Sequence, residues 1–289
     1  MAADIIKSLR PKQWIKNLFI LAALIFDRQL INFPAAVRAF WGLIVFCMIS
    51  SAVYLFNDIF DKQADAVHPV KKNRPIASGR ISIGYAAVIG AILSAGGLVW
   101  ASRLSPAFFL ICAAYLIINL LYSKWLKHVP IIDVMIVASG FVLRVAAGVA
   151  LIDVERFSPW LYVVTTLLAL FIGFGKRRAE LTLLSSEANN HRAVFEGYSL
   201  EFLDQLITIV SGTTIVAYSL YTFSAPNLPA NHAMMLTIPF VLYGIFRYLY
   251  LVKVKHSGGE PEELVIKDRP LQLSVLFWGL SILAIFYFS

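Results

Sequence analysis

Long apolar runs constrain this chain more than any other feature, because a helix needs about 20 apolar residues to cross a bilayer. Charged residues make up only 15% of the 289 residues, whereas a soluble globular protein carries about 25%. The sequence therefore predicts an all-α, polytopic membrane protein with a single transmembrane domain over residues 1–289. Nine transmembrane helices are predicted, at residues 17–33, 38–57, 82–102, 106–122, 131–151, 159–175, 203–223, 233–252 and 270–288.

The connections between these spans alternate in charge. Most of the 25 Lys and Arg residues fall in the N-terminus or in the loops 58–80, 123–130, 176–202 and 253–269. The positive-inside rule then predicts a cytoplasmic N-terminus and charged face in the inner (plasma) membrane. Residues 1–16 mix apolar and basic side chains, which predicts an interfacial amphipathic segment on the lipid bilayer. No nucleic-acid motif accompanies the basic residues, so nucleic acid is not a predicted partner.

The stretch from Asn57 to Arg80 carries the clearest signal for chemistry. The amide of Asn57 and the three carboxylates after it, Asp58, Asp61 and Asp65, recur at helical spacing at the end of the second span, which places their side chains on one face. Carboxylates stacked in this way repel one another, and clustered oxygen ligands of this kind suit Mg²⁺. The alternative is a charge-neutralised loop between two membrane helices. The predicted ligands of the Mg²⁺ cofactor are Asn57, Asp58, Asp61 and Asp65.

Basic residues beside the acidic cluster indicate a substrate with several phosphate charges. In the same loop the candidates for substrate binding are His68, Lys71, Lys72 and Arg74. Further candidates lie at span ends on the same predicted face, where interface anchoring and topology are their alternative roles. They are Lys16, Tyr122, Lys124, Lys127, Asp133, Lys176, Arg177, Arg178 and Glu180.

Arg144 is a charged residue inside the fifth predicted span. It follows Asp133 by about three helical turns, so it shares that helix face but lies roughly 16 Å deeper. A charge at that depth normally faces a cavity or a partner. We therefore predict that Arg144 binds substrate; the alternative is a side chain that snorkels to the far interface.

Several strings in the sequence resemble the UbiA superfamily of intramembrane prenyltransferases. The pattern NDxxDxxxD at 57–65 is typical of the superfamily, and the resemblance implies a UbiA-type helical bundle with a polar site at the cytoplasmic face. Longer strings are similar to one branch, the decaprenyl-phosphate phosphoribosyltransferases. They are RPKQWIKN at 10–17, HPVKKNRPIASG at 68–79, YSKWLK at 122–127, GKRRAEL at 175–181 and KDRPL at 267–271.

The resemblance implies a Mg²⁺-dependent transfer of 5-phosphoribose from phosphoribosyl pyrophosphate to a polyprenyl phosphate, as in cell-wall arabinan precursor synthesis. Asp58, Asp61 and Asp65 would be the catalytic carboxylates. Superfamily members that ionise a prenyl diphosphate usually carry a second Asp-rich motif after the sixth span. Residues 176–181 read KRRAEL instead, which fits a phosphoribosyl donor.

Two other functions are open at this point. One is a UbiA-type prenyltransferase that takes a prenyl diphosphate donor and an aromatic or lipid acceptor. The other, more remote, is an anion transporter, although transporters place their sites near the midplane of repeated halves and this sequence shows no internal repeat. The sequence also leaves a homo-oligomer open.

Overall fold

The computed structural model describes residues 2–68, 70–152, 154, 158–185, 197–225, 228–255 and 261–288. Parts of two predicted cytoplasmic loops, at 186–196 and 256–260, lie outside the described residues. The described residues are 84% helix and contain no strand. The prediction of an all-α protein is confirmed.

The helices fall into two compact units, residues 1–129 with 143–154 and residues 130–142 with 155–289. The prediction of a single domain over 1–289 is not tested by this division and stays a prediction. The first unit begins with α1 (Ala2–Leu9), a 3₁₀ helix (Pro11–Leu21) and the short α2 (Ala22–Phe26). Its remaining α-helices are α3 (Phe33–Phe60), α4 (Lys62–Val67), α5 (Ile83–Leu104), α6 (Pro106–Lys124) and the second half of α7 (Ile132–Val149).

The second unit contains the first half of α7 and the helices that follow it. A 3₁₀ helix, Ala233–Thr237, leads into α10. The bounds of its complete α-helices are α8 Pro159–Ser185, α9 Leu200–Ser224, α10 Ile238–Lys253, α11 Pro261–Lys267 and α12 Arg269–Phe288.

Eight helices among the described residues are long and apolar enough to cross a membrane, which makes this a multi-pass membrane protein. They coincide with the second to ninth predicted spans. The first predicted span, 17–33, instead crosses the end of the 3₁₀ helix, the five-residue α2 and a turn. A ninth spanning element and the cytoplasmic orientation stay predictions.

Polar side chains mark where several spanning helices begin. Asn32, Ser82, Ser105 and Ser199 each accept a hydrogen bond from the backbone N–H three residues later, at the first turns of α3, α5, α6 and α9. Each cap satisfies one of the N–H groups that have no partner inside the helix. The sequence therefore fixes the beginnings of these helices by local chemistry.

The first unit packs around α3, whose buried Phe46 and Ile49 lie in a cluster with residues of α5 and α6. The 3₁₀ helix joins this cluster through Ile20, and Gly148 of α7 makes the approach possible. A Cβ at Gly148 would lie 2.0 Å from the carbonyl oxygen of Ile20. The second unit has its own core, which includes Phe171 of α8 and Leu203 of α9.

Candidate active site

The predicted acidic residues lie at the junction of α3 and α4 in the first unit. The backbone N–H of Asp61 donates to the carbonyl of Asn57 at 2.9 Å, and that of Asp65 donates to Asp61 at 2.8 Å. Helical spacing therefore continues through the junction. Asp58 and Asp65 are almost completely buried, at 2% and 1% exposure. Burial of two carboxylates is costly unless each is paired.

Basic side chains from three separate segments pair with these carboxylates. Asp58 accepts hydrogen bonds from Arg10 and, at 3.1 Å, from Nη1 of Arg74. The same Nη1 atom donates to Asp65 at 2.5 Å, so two carboxylates converge on one nitrogen. Lys127 pairs with Asp61, which also accepts a hydrogen bond from the amide of Asn57 at 3.1 Å.

The carboxylates of Asp58 and Asp65 offer oxygen ligands of the kind that Mg²⁺ takes. In proteins Mg²⁺ is typically held by one or two carboxylates together with substrate phosphates and water, and Asp58 and Asp65 supply that number. Oδ1 of Asp65 is buried and accepts no hydrogen bond from any residue that the structure describes. Within the described ranges no three His, Cys, Asp or Glu side chains gather closely enough to hold one ion. Coordination by all four of Asn57, Asp58, Asp61 and Asp65 stays a prediction.

The basic residues that follow α4 differ in their surroundings. The ring nitrogen Nδ1 of His68 accepts hydrogen bonds from the backbone N–H groups of Val70 and Lys71, both at 3.2 Å, and so shapes the turn. Lys71 is half-buried and Lys72 is exposed. Within this loop, Arg74 is a predicted residue that the structure brings onto the acidic cluster.

The segment after α6 brings a second predicted basic residue to the acids. Lys127 reaches Asp61, whereas Lys124 is exposed and lies over the ring of Trp125, 4.3 Å from its centroid. Contacts of this kind are common at a membrane edge. Tyr122 is half-buried in the last turn of α6. The substrate-binding roles of Tyr122 and Lys124 stay predictions.

Arg144 is buried inside the first unit and does not snorkel outward, since only 4% of the residue is exposed. Its Nε donates to the amide oxygen of Asn17 at 2.9 Å, and Nη2 donates to the hydroxyl of Tyr115 at 2.9 Å. The guanidinium also lies over the rings of Phe46 and Tyr115. These contacts explain how a charge is held at that depth, and they connect α7 to the N-terminal segment.

In the second unit, Asp133 is the centre of a buried polar cluster. It is fully buried and accepts hydrogen bonds from Nε of Arg177 at 2.6 Å and from the hydroxyl of Tyr198 at 2.7 Å. Arg177 also pairs with Glu180 at 2.6 Å. The structure thus brings three predicted site residues of α7 and α8 together: Asp133, Arg177 and Glu180.

Tyr198 belongs to this cluster although sequence reasoning did not select it. Its hydroxyl accepts a hydrogen bond from the backbone N–H of Ile131 at 2.5 Å while it donates to Asp133. Ile131 has a φ of +70°, which is strained for a β-branched residue and is tolerated where the surroundings over-determine it. Burial, and then the hydrogen bond to Asp133, raises the pKa of Tyr198 far above its ordinary value. The hydroxyl therefore stays protonated as a donor.

The other basic residues of α8 lie in different surroundings. Arg178 forms two hydrogen bonds to Asp204 of α9, at 2.7 and 3.4 Å, and Lys253 of α10 pairs with the same carboxylate at 3.1 Å. This arrangement ties α8, α9 and α10 together. Lys176 is half-buried. Substrate binding by Lys176, Arg177 and Arg178 stays a prediction.

Comparisons with known proteins agree with this architecture. A model of the UbiA prenyltransferase family matches residues 18–185, which is more than half of the chain. Decaprenyl-phosphate phosphoribosyltransferase from Mycolicibacterium smegmatis is 34% identical over 302 aligned positions, covering 100% of this chain and 94% of the relative. The protein of the same name from Corynebacterium glutamicum is 32% identical, covering 99% of this chain and 88% of the relative.

A solved structure shows the same fold. The UbiA homolog from Archaeoglobus fulgidus bound to DMAPP and Mg2+ has a TM-score of 0.75, with 99% of this chain and 100% of that chain covered. Its sequence identity is 18%, so this likeness concerns the fold alone. From the matching family model and the full-length relatives we conclude that the chain belongs to the UbiA prenyltransferase family.

Proposed function

We propose that this protein transfers 5-phosphoribose from phosphoribosyl pyrophosphate to a polyprenyl phosphate, with pyrophosphate as the second product. The observation that carries the proposal is full-length similarity, at 34% identity, to a protein named decaprenyl-phosphate phosphoribosyltransferase. The lipid acceptor also fits a chain with eight apolar helices long enough to span a bilayer among its described residues.

The chemistry of the α8 cluster supports a phosphoribosyl donor. A prenyl diphosphate site of the wider superfamily would need a second carboxylate pair after the sixth span. Here Glu180 shares Arg177 with Asp133, so the acids of this cluster are engaged by a guanidinium. Basic side chains suit two phosphate-bearing substrates, because charge-assisted hydrogen bonds to phosphate are strong and directional.

The residues around Asp58 would position the donor. Mg²⁺ held by Asp58 and Asp65 would supply charge stabilisation for the departing pyrophosphate, and the solved homolog that carries Mg2+ supports this cofactor. Arg74 already contacts both carboxylates and would hold them in a fixed orientation. Lys127 would do the same for Asp61.

The transfer requires no strong general base. The bond between C1 of the ribose and the pyrophosphate oxygen breaks with its electron pair on pyrophosphate. A phosphate oxygen of the polyprenyl phosphate forms the new bond to C1 from the opposite face, so the configuration at C1 is inverted. A phosphate anion is already a competent nucleophile, and positioning with electrostatic stabilisation would therefore supply most of the rate.

We place this site at the cytoplasmic face of the inner membrane, where phosphoribosyl pyrophosphate is available. Most Lys and Arg residues lie in the N-terminus and in one set of loops, as the positive-inside rule requires of a cytoplasmic face. Cysteine substitution at the exposed Lys72, followed by labelling with a membrane-impermeant thiol reagent, tests this placement. Labelling in inverted vesicles, with none in intact cells, is the expected result.

Thermal protection by substrates tests the donor. With Mg²⁺ present, phosphoribosyl pyrophosphate at a hundredfold excess over its Kd should stabilise the purified protein by about 2.7 kcal/mol, visible as a rise in Tm. Polyprenyl phosphate should add a further rise, because it occupies a separate subsite. Geranyl or farnesyl diphosphate should give none.

The same samples can be assayed for product to connect binding with turnover. Incubation with phosphoribosyl pyrophosphate, Mg²⁺ and polyprenyl phosphates of several lengths should yield phosphoribosyl polyprenyl phosphate. A different result would reject this function in favour of a prenyltransferase: geranyl or farnesyl diphosphate protects the protein and is consumed, whereas phosphoribosyl pyrophosphate neither protects it nor is consumed.

A further inference from the structure

We propose that Arg10 is a further substrate-binding residue: it is the counter-ion of Asp58 until that carboxylate accepts a divalent cation, and it then binds a phosphate of the donor. The substrate half of this proposal rests on the function proposed above. The N-terminal segment would accordingly be part of the active site as well as an interfacial anchor.

The geometry of the 3₁₀ helix fixes one face of the N-terminal segment against the first unit. Such a helix has three residues per turn, so side chains three apart lie above one another. Trp14, Asn17 and Ile20 share one face, and Asn17 and Ile20 are fully buried at 0% exposure. The neighbouring face, with Lys12 and Leu18, is exposed.

Hydrogen bonds fasten the face of Trp14, Asn17 and Ile20 to α3, with Trp14 itself 38% exposed. The indole Nε1 of Trp14 donates to the hydroxyl of Ser51 at 3.0 Å. The side-chain amide of Asn17 donates to the hydroxyl of Ser50 at 3.1 Å, while its oxygen accepts from Arg144. The segment that follows Arg10 is therefore held at two successive turns.

Ser51 also fixes the chain on the other side of Arg10. Its hydroxyl donates to the backbone carbonyl of Leu9 at 3.0 Å while it accepts from Trp14. Ser51 precedes Asp58 by seven residues, which is about two helical turns and roughly 10 Å along one face of α3. The attachment point of Arg10 thus lies on the helix face that carries Asp58.

The conformation of Arg10 directs its side chain to this acid. Its backbone is in the left-handed region, with a φ of +54° and a ψ of +60°, which is uncommon for a residue other than glycine. Its guanidinium pairs with Asp58 and lies 5.0 Å from the ring centroid of Tyr54. The Arg10 side chain is 23% exposed, whereas that of Asp58 is 3% exposed. Arg10 therefore lies between a buried acid and the surface of the first unit.

The charge balance at Asp58 explains why Arg10 would change partner. Arg10 and Arg74 together carry two positive charges, which balance those of the two buried carboxylates Asp58 and Asp65 that they contact. A divalent cation on Asp58 would add further positive charge and displace one guanidinium. Arg74 also pairs with Asp65, so Arg10 is the group that would leave. The phosphate groups of the donor would bind beside Asp58, and a guanidinium can form two parallel hydrogen bonds to phosphate oxygens.

A pair of matched glutamine variants tests the proposal through two readouts. Arg10→Gln removes the counter-ion, and Lys12→Gln makes the same replacement on the exposed face of the same helix. The first readout is Mn²⁺ binding by the purified protein without substrate. Arg10→Gln should tighten Mn²⁺ binding about tenfold, because a charge-assisted hydrogen bond of this kind competes with the metal.

The second readout is the KM for phosphoribosyl pyrophosphate. Arg10→Gln should raise this KM about tenfold to a hundredfold. The KM of Arg10→Lys should lie between those of Arg10→Gln and wild type. Lys12→Gln should change both the KM and Mn²⁺ binding less than twofold. Ser51→Ala should follow Arg10→Gln in direction with smaller changes, since Ser51 positions Arg10. If Arg10→Gln does not fold, Arg10→Lys and Ser51→Ala decide the question.

Tighter Mn²⁺ binding together with a higher KM for the donor indicates a counter-ion that transfers to substrate. A damaged fold would instead weaken the binding of both Mn²⁺ and the donor. Mn²⁺ binding that is unchanged or weaker in Arg10→Gln, or an unchanged KM, would overturn the role of Arg10. Wild-type protein that binds Mn²⁺ but transfers no phosphoribose would overturn the proposed function itself. The two failures are therefore distinguishable.

Discussion

Asp58→Asn should reduce phosphoribosyl transfer by at least about 10³-fold, because loss of metal-assisted charge stabilisation costs several kcal/mol and each 1.36 kcal/mol is a factor of ten. Asparagine keeps the shape of the side chain and one acceptor oxygen for Arg10 and Arg74. The protein should therefore remain folded in the membrane, which its elution profile and Tm in detergent would show. Removal of the metal with EDTA should abolish activity, and added Mg²⁺ should restore it.

Asp4→Asn is the matched control for this change. Asp4 is another carboxylate of the first unit paired with an arginine, since it accepts a hydrogen bond from Nε of Arg80 at 2.9 Å. Its side chain is 26% exposed, against 3% for Asp58. We expect near-wild-type activity from Asp4→Asn. Substantial turnover by Asp58→Asn, or by wild-type protein in EDTA, would exclude a metal-dependent role for Asp58.

Asp133→Ala should destabilise the protein by about 3–5 kcal/mol, the usual cost of removing one member of a buried ion pair. The change leaves the Nε of Arg177 and the hydroxyl of Tyr198 without the acceptor that both now share. Asp133→Asn should cost less because it keeps an acceptor. Tyr198→Phe should cost about 1 kcal/mol, the typical value of one hydrogen bond. Thermal unfolding of the three variants in detergent measures this order.

Asp204→Asn serves as the control for the second unit. Asp204 also accepts hydrogen bonds from an arginine, Arg178, but its side chain is 32% exposed, so solvent screens the pair and its loss should cost less. If Asp133→Ala melts like wild type and loses only substrate binding, Asp133 is a substrate ligand without a structural role. That outcome would contradict the structural role inferred here from its burial.

The apolar helices could be predicted from the sequence because hydropathy is a local property. The capped starts of α5 and α6, at Ser82 and Ser105, are local as well and lie within a few residues of the predicted span boundaries. The first predicted span differs because the 3₁₀ helix Pro11–Leu21 extends into its beginning and the α-helix that follows has only five residues. The sequence signal of this 3₁₀ helix is the spacing of Trp14, Asn17 and Ile20 at every third position. A pattern based on the 3.6-residue period of an α-helix does not single out that spacing.

The acidic residues of the candidate site were also within reach of sequence reasoning. Asp58, Asp61 and Asp65 recur at helical spacing, so a single helix direction places them along one side of the α3–α4 junction. Basic residues near the acids in sequence were predicted as a group, and Arg74 is the member that contacts two of the carboxylates. Spacing alone did not distinguish Arg74 from Lys72, since both fall in the same short loop.

Tertiary structure alone decided which cation meets which acid. Arg10 reaches Asp58 across 48 residues of sequence, and Lys127 reaches Asp61 across 66. Tyr198 meets Asp133 across 65 residues, and no motif marked it. Local sequence determined the spanning helices and the row of carboxylates, because hydropathy, capping and helical period act within a few residues. The partners of those carboxylates depended on how distant helices pack, because ion pairs form wherever the fold brings opposite charges within reach.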